Sequence, residues 1–398
     1  MLKALKIILR EPIVLLTLIP SLLFLIFIFS LQKILLIKVG FLHTNRLGHF
    51  SANTELYILK KKKFNIKSFD LFYFGRGAVS NQFLKNLWKE NLMILPYWLL
   101  RCSDLIIRAT PLKKNFSCNF LSNTDRDLFC LYNTYAATLN NANFSQENSK
   151  FLKKYNIKEN DKIVCLNIRD SSYLKTIYNP RFHNTDYHNF RDATPENFKS
   201  TILFLLKKGF KVIRVGVTKE KYLNIKHKNY FDKTYTENRD DYTDVYLASK
   251  CNFCISTGSG FDGLVRIFRR PILFVNLAPL LYFHSFCDND LTICKHAIFN
   301  KKKLSIKKLI EKNLAHFQDS NSYLKNNIIL IENSSLEIKE ATIEFVNRLS
   351  GKFKITKKNK LLQKKIKKLI LKNTKKLRLK IHGKILSSFG QKYLEKNF

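Results

Sequence analysis

The 398-residue chain is short of glycine and proline, with 12 and 8, while it holds 33 Phe and 17 Tyr. A collagenous, linker-like or globally disordered chain is thereby excluded, since such chains are poor in aromatics. Cysteine is sparse too. Eight residues at the irregular positions 102, 118, 130, 165, 251, 254, 287 and 294 make no disulfide framework in a chain this long, and reduced thiols are expected. The one close pair, Cys251 and Cys254, lies in an apolar run with no second Cys or His pair at zinc spacing, which favours buried strand cysteines over a metal site. Negative charge is scarce: 30 Asp and Glu face 70 Lys and Arg, a net +40. The lysines are spread beside many Asn, Ile and Phe, so charge alone identifies no partner. The hydrophobic share, 45%, is enough for two packed domains.

No charge interrupts residues 12–32, and Ile13 to Phe29 is almost continuously Leu, Ile, Val and Phe. At ~1.5 Å per residue such a helix is about 30 Å long, enough to cross a bilayer. A span, a helix lying in one leaflet and a buried core helix are the competing readings. Pro20 is expected to kink the run, and a strand begins almost at once at Ile34. Lys3, Lys6 and Arg10 on one flank face a strongly basic body on the other, against the positive-inside tendency. These features favour an apolar anchor in peripheral or monotopic contact with the cytoplasmic face of the inner membrane, a single span being the alternative. No small-residue cleavage site follows, which disfavours a signal peptide. At the other end, residues 352–398 hold 16 Lys and one Arg against Glu395 alone. Leu362, Ile366, Leu369 and Ile370 recur there at helical spacing, an apolar stripe among lysines that suits an anionic membrane better than nucleic acid. Residues 12–32 and 352–380 are therefore both expected membrane contacts.

Between these ends strands and helices alternate, the pattern of α/β layers. Strands are expected at 34–39, 55–60 and 69–75, with a helix start at Asn53-Thr54-Glu55. A polar stretch from about 140 to 160 marks a domain boundary, and Lys162 to Ile168 restarts the strand pattern. Then follow helix 196–208, strand 211–215, helix 241–249, strand 252–256, helix 261–268 and strand 271–276. The division reads 1–32 as membrane-associating, 33–150 and 151–350 as two domains, and 351–398 as a Lys-rich helical tail.

In Cys254-Ile255-Ser256-Thr257-Gly258-Ser259-Gly260-Phe261-Asp262, a buried strand ends in small hydroxyl residues and glycines before a helix, whose first amides would face a phosphate. The segment lacks the Gly-Lys-Ser/Thr ending of a Walker loop and the spacing of a nucleophile elbow. A plain capped turn is the alternative. Arg169, Arg191 and Arg214 each follow or end an expected strand, and ligands of open α/β sheets bind at the carboxyl ends of strands. Planar multi-donor guanidinium groups suit a diphosphate whose charge grows as it leaves; pairing with Asp170 or Asp192 to order loops is the alternative. In the first half, Thr44 to Phe50 follows a strand. His49 there is of the residue type whose ordinary titration range suits a general base, and two α/β domains facing a cleft would bring it to the phosphates.

Arg46-Leu47-Gly48-His49-Phe50 with Asn53-Thr54-Glu55, then Arg169-Asp170-Ser171-Ser172-Tyr173-Leu174, His188-Asn189-Phe190-Arg191-Asp192-Ala193 and Ser256-Thr257-Gly258-Ser259-Gly260, together resemble a family of bacterial glycosyltransferases found with surface-polysaccharide genes. Gly383 to Phe389 fits as well, whereas the Lys-rich stretch at 352–376 departs from it. The resemblance implies two Rossmann-like domains of the GT-B type that use an activated sugar nucleotide.

The expected activity is sugar transfer from a nucleotide diphosphate sugar to a glycan or lipid-linked acceptor such as lipopolysaccharide or capsule. No cofactor is expected. Asp288-Asn289-Asp290 has the letters of an Asp-x-Asp motif in a polar loop, so metal independence is expected too. Arg169, Arg191 and Arg214, with the amides of Gly258, Ser259 and Gly260, would hold the leaving diphosphate beside Ser256 and Thr257. Asp262 or Asn276 would meet ribose or sugar hydroxyls. His49 is the expected base, with Asp170 its rival. Arg46, Asn53 and Glu55 lie on the acceptor side, and His188 and Asn189 bind phosphate or order the loop. A sugar-nucleotide epimerase, a polyol-phosphate transferase and a non-enzymatic membrane- or nucleic-acid-binding protein are the alternatives.

Overall fold

A computed structural model describes residues 16–118, 126–140, 142, 144, 148–170, 186–217, 223–234 and 240–398. Residues 12–15 of the apolar run and the Ser171-Ser172-Tyr173-Leu174 motif lie outside the described residues. The chain forms two compact units, one of residues 1–125 and 137–142 and the other of 126–136 and 143–398. Residues 126–136 join the second unit through long-range bonds. Arg126 Nη1 donates to the Phe283 carbonyl at 2.8 Å, and Arg269 Nε donates to the Tyr135 carbonyl at 2.9 Å.

In the first unit, helix α1 (Leu18–Leu31) precedes strand β1 (Ile37–Leu42), helix α2 (Thr54–Lys63) and strand β2 (Phe69–Phe74). β1 and β2 are parallel with Val39 opposite Leu71, and single bridges at Ser117 and Ile94 widen the sheet on either side. Helices α3 (Gln82–Asn91) and α4 (Tyr97–Ala109) follow. The first strand runs three residues later than expected, through Gly40, because Ile34 and Leu35 are exposed and Leu42 is buried. Residues 55–60, expected as a strand, are helical. Leu56 and Leu59 are buried one helical turn apart, and Lys60 to Lys63 occupy the last turn, where cations favour the helix dipole. Pro20 breaks nothing, since it lies in the first turn of α1, where no intrahelical N–H is required.

α1 packs through Ser21, Leu25 and Ile28. Ser103 Oγ donates to the Ser21 carbonyl at 3.2 Å, and Ser21 Oγ donates to the Leu99 carbonyl at 3.3 Å, so two small residues bring α1 and α4 together. Leu25 and Ile28 join Val39, Tyr73, Leu100 and Ile107 in the core. Among the described residues no helix is long and apolar enough to cross a membrane.

The second unit is built on a seven-stranded parallel sheet of order β12-β8-β7-β6-β3-β4-β5. Its strands are β3 (Ile163–Asn167), β4 (Lys211–Val215), β5 (Tyr230–Asp232), β6 (Phe253–Ser256), β7 (Ile272–Leu277), β8 (Leu291–Cys294) and β12 (Ser388–Phe389). β9 (His296–Phe299), β10 (Lys302–Leu304) and β11 (Ile328–Ile331) form a small antiparallel sheet. Helices α5 (Lys199–Lys207), α6 (Asp241–Lys250), α7 (Gly260–Ile267) and α8 (Ser335–Leu349) cover the large sheet, and α9 (Lys357–Lys376) and α10 (Gln391–Asn397) end the chain. The chain moves outward from β3 to β5 and then returns to β6 on the other side of β3. The carboxyl ends of β3 and β6 are thus a topological switch point, where open α/β sheets bind ligands. All eight cysteines are free and buried.

The Lys-rich terminal segment is part of this unit. Ile366 and Ile370, half of the stripe expected to meet a membrane, are fully buried. Gln363 bonds both polar groups of the Phe389 backbone, donating at 2.7 Å and accepting at 3.1 Å, and Lys367 Nζ donates to the Ile385 and Leu386 carbonyls. Gly383 has a backbone reason: a Cβ there would lie 1.8 Å from the Leu128 carbonyl oxygen. A chain ending at residue 351 loses Ile366, Ile370, Phe389 and Leu394, each fully buried and each contributing about 1.5–3 kcal/mol. It is expected to express insolubly or to melt far below the full chain in a thermal unfolding scan; an equally stable truncated chain would refute this integration.

Candidate functional site

At the switch point the strand ends are tied together by one amide. Asn167, last residue of β3 and 3% exposed, donates from Nδ2 to Ser256 Oγ at 3.2 Å, to Ser259 Oγ at 2.6 Å and, more weakly, to Asp262 Oδ1 at 3.4 Å. Ser259 caps α7, and the Asp262 carboxylate accepts from the Ser259 amide at 2.7 Å, which completes a capping box. Gly258 has φ +86°, the left-handed region that favours glycine, and a Cβ there would lie 3.1 Å from Leu277 and 3.5 Å from Arg191 Nη2. The loop is fixed before any ligand arrives.

This fixing corrects the expected cradle of amides. The Gly258 amide donates to Ser256 Oγ at 3.0 Å and the Ser259 amide to Asp262, so both are engaged within the turn. Ser256 and Thr257 are buried, Thr257 Oγ1 accepting from the Arg169 amide at 2.9 Å, while Gly260 is exposed. Asp262 is buried, and burial raises its pKa to about 6 against the hydrogen bonds it receives. Its carboxylate is engaged within the turn.

Positive charge is supplied by side chains around this loop. Arg169 Nη1 pairs with Asp192 and donates to the His188 carbonyl at 3.1 Å. Arg191 Nη2 donates to the Gly258 carbonyl, which ties the guanidinium to the glycine turn. Lys295 Nζ donates to the Asp192 carbonyl, and burial lowers its pKa against the attraction of Glu332 and Asp192. Asp192 is pushed up to about 6 by burial, although Arg169 opposes the shift. Asp170 follows Arg169 and is partly exposed. The His188 ring lies tilted against that of Tyr187 with centroids 3.8 Å apart, and Asn189 Nδ2 donates to Asp186 at 3.0 Å.

Two expected ligands are turned inward. Arg214 is 1% exposed on β4 and pairs with Asp232 at 3.2 Å. Asn276 is fully buried with φ 52°, its amide donating to Asn333 Oδ1 at 2.7 Å while its Oδ1 accepts from the Asn333 amide. Asp290 is also no part of an open polar loop. It is buried and accepts both terminal nitrogens of Arg266 and the Ile272 amide.

In the first unit, His49 opens a wide helical turn, His49–Asn53, beyond the carboxyl end of β1. Its Nδ1 lies 3.3 Å from Asn53 Nδ2. Arg46 is exposed, Asn53 is buried, and Glu55 is fully buried with its Oε1 accepting from the Thr138 amide at 3.1 Å. His43, missed in the sequence, has its ring centroid 6.4 Å from that of His49. Burial and the neighbouring His49, Arg108 and Arg46 lower its pKa to about 4. The sequence signal for Asn167 was a lone amide closing an apolar strand, and for Lys295 a lone lysine after β8; neither singles out a site without the partner residues.

No protein-family model matches the chain, and no curated protein matches it. Among solved structures it is similar to ADP-heptose lipopolysaccharide heptosyltransferase II of E. coli, at 10% identity over 78% of this chain and 98% of that one, with a TM-score of 0.42. A glycosyl transferase family 9 protein of Veillonella parvula is 12% identical over 78% of this chain and 97% of that one, with a TM-score of 0.43. The iron-containing dodecameric glycosyltransferase TibC of enterotoxigenic E. coli is 11% identical over 61% of this chain and 59% of that one, with a TM-score of 0.32.

Proposed function

We propose that the chain is a metal-independent glycosyltransferase that takes a sugar from a nucleotide diphosphate sugar and delivers it to a surface-glycan acceptor, lipid-linked or free. The observation that carries this reading is the pair Arg169 and Arg191 beside the prefixed Gly258–Gly260 turn at the β3/β6 switch point. Developing negative charge on a departing diphosphate is stabilised by such pre-oriented cations. With the Gly258 and Ser259 amides engaged, Arg169, Arg191 and Lys295 carry that task. His49 is the proposed base for the acceptor hydroxyl and Asp170 its rival, with Arg46 on the acceptor side.

The test is a thermal-shift screen of the purified chain against ADP-, UDP-, GDP-, CDP- and CMP-sugars with and without EDTA. A ligand that binds only the folded state raises the apparent melting temperature. One nucleotide class is expected to raise it, and to do so equally in EDTA. No shift with any nucleotide would overturn the reading, and a shift abolished by EDTA would overturn its metal-free form.

A further inference from the structure

We propose that α1 lies in the plane of one leaflet of an anionic bilayer, inserted through the face formed by Ile19, Leu23, Ile26 and Phe27, with Leu16 just before the helix. The proposal stands apart from the transferase reading. The helix has two apolar faces with different fates. Ser21, Leu25 and Ile28 are at most 3% exposed against the core, whereas Ile19, Leu23, Ile26 and Phe27 are 71, 62, 64 and 55% exposed, and Leu16 just before the helix is 80% exposed. The outward positions recur at three- and four-residue steps, so they form one continuous stripe. Soluble surfaces rarely expose a contiguous apolar patch of this kind without a partner. Ile34 and Leu35, 88 and 43% exposed, prolong it just past the helix end.

The chemistry of the stripe selects a bilayer over a protein partner. Residues 16–32 carry no charge, and the five outward side chains have no donor or acceptor. A protein interface surrounds its apolar centre with a polar rim and hydrogen bonds; a hydrocarbon phase offers neither and requires none. Ser21, Leu25 and Ile28 hold the opposite face of α1 against the core of its unit, so the helix meets a membrane side-on.

Charge complementarity fixes the lipid class. Residues 16–118 hold 15 Lys and Arg against four Asp and Glu. Lys33 is exposed immediately after α1, and exposed Lys113 and Lys114 precede Phe116, whose ring packs edge-on against Phe29 of α1 at 4.7 Å. Basic residues therefore adjoin the carboxyl-terminal end of α1, as lipid headgroups of negative charge require.

The experiment is flotation of the full chain with vesicles of phosphatidylcholine and with equimolar phosphatidylcholine and phosphatidylglycerol. It compares the wild type, a Leu23→Glu/Ile26→Glu double variant, and a variant with Lys364, Lys365, Lys368 and Lys372 of α9 changed to Gln. Leu23 and Ile26 face outward, so the double variant is expected to keep the wild-type melting temperature and nucleotide response. The wild type and the α9 variant are expected to float with anionic vesicles, and the double variant to partition at least about tenfold less. A Phe27→Trp variant is expected to be quenched by brominated lipid chains. The proposal is overturned if the wild type does not float, or if the double variant floats as well as the wild type. It is equally overturned if the stripe variant dissolves a dimer of this chain in gel filtration without changing flotation.

Discussion

Arg191→Ala is expected to lower turnover about a hundredfold while leaving the fold intact. Arg191 is the cation held on the carbonyl of Gly258, in the turn whose own amides are largely engaged. In a site where backbone donors are occupied, removing one guanidinium leaves the departing diphosphate with correspondingly less stabilisation, and loss of one such pre-oriented donor costs on the order of 10²–10³ in kcat. The side chain is partly exposed, so the melting temperature should change little. Arg191→Lys restores charge but not the planar fork and should recover only part of the loss. Steady-state rates with the donor named by the nucleotide screen provide the measurement. Wild-type turnover in Arg191→Ala would remove this residue from the reaction.

Asp290→Ala is expected to cost about 3–5 kcal/mol of stability, the penalty for stranding one partner of a buried ion pair. The Asp290 side chain is fully buried and that of Arg266 is 5% exposed. Arg266 also lies over the Phe286 ring at 5.5 Å, and Asp290 accepts the Ile272 amide at 3.0 Å, so the pair links α7, β7 and the residues before β8. Without the carboxylate, a guanidinium remains in a site closed to water. Replacing both, as Arg266→Met with Asp290→Leu, removes the stranded charge and should restore much of the loss, because buried pairs often roughly break even against apolar residues of similar volume. Urea unfolding midpoints of the two variants decide it. A single variant as stable as the double would mean that the pair is not the joint described here.

From Ile163 to Leu277 most of the alternation was legible because β3, β4, β6 and β7 are short apolar runs of the buried parallel type, bounded by helices with ordinary amphipathic spacing; the three-residue edge strand β5 was not expected. β4 occupies the expected 211–215, and β6 and β7 lie within a residue of expectation. The strands after Leu277 were not legible. β8, β9, β10 and β12 are two to four residues long; β9 and β10 form a tight hairpin turned at Asn300 and Lys301, while β12 pairs with β8 across about a hundred residues. Residues 55–60 misled because Tyr57 and Ile58 favour strands locally, while the burial of Leu56 and Leu59 on one side decided for a helix.

For the site, the motif residues Arg169, Arg191 and Gly258 were readable as glycine and arginine at strand ends, and the structure brings them together. Arg214 and Asn276 carry similar local signals, yet the fold spends them on Asp232 and Asn333. Asn167 was passed over because its partner Ser259 is 92 residues away.

The sequence by itself determined the layered α/β character, the absence of a disulfide framework, and the places where strands end in polar residues, all properties of local spacing and composition. Only the tertiary structure decided which of those polar groups are consumed. A donor or acceptor is used up once burial forces it to find a partner, and the partners lie far apart along the chain. The same holds for the two hydrophobic segments. Ile366 and Ile370 went into the core of the second unit, while Ile19, Leu23 and Ile26 stayed outside the first because Ser21 let the opposite face of α1 approach α4.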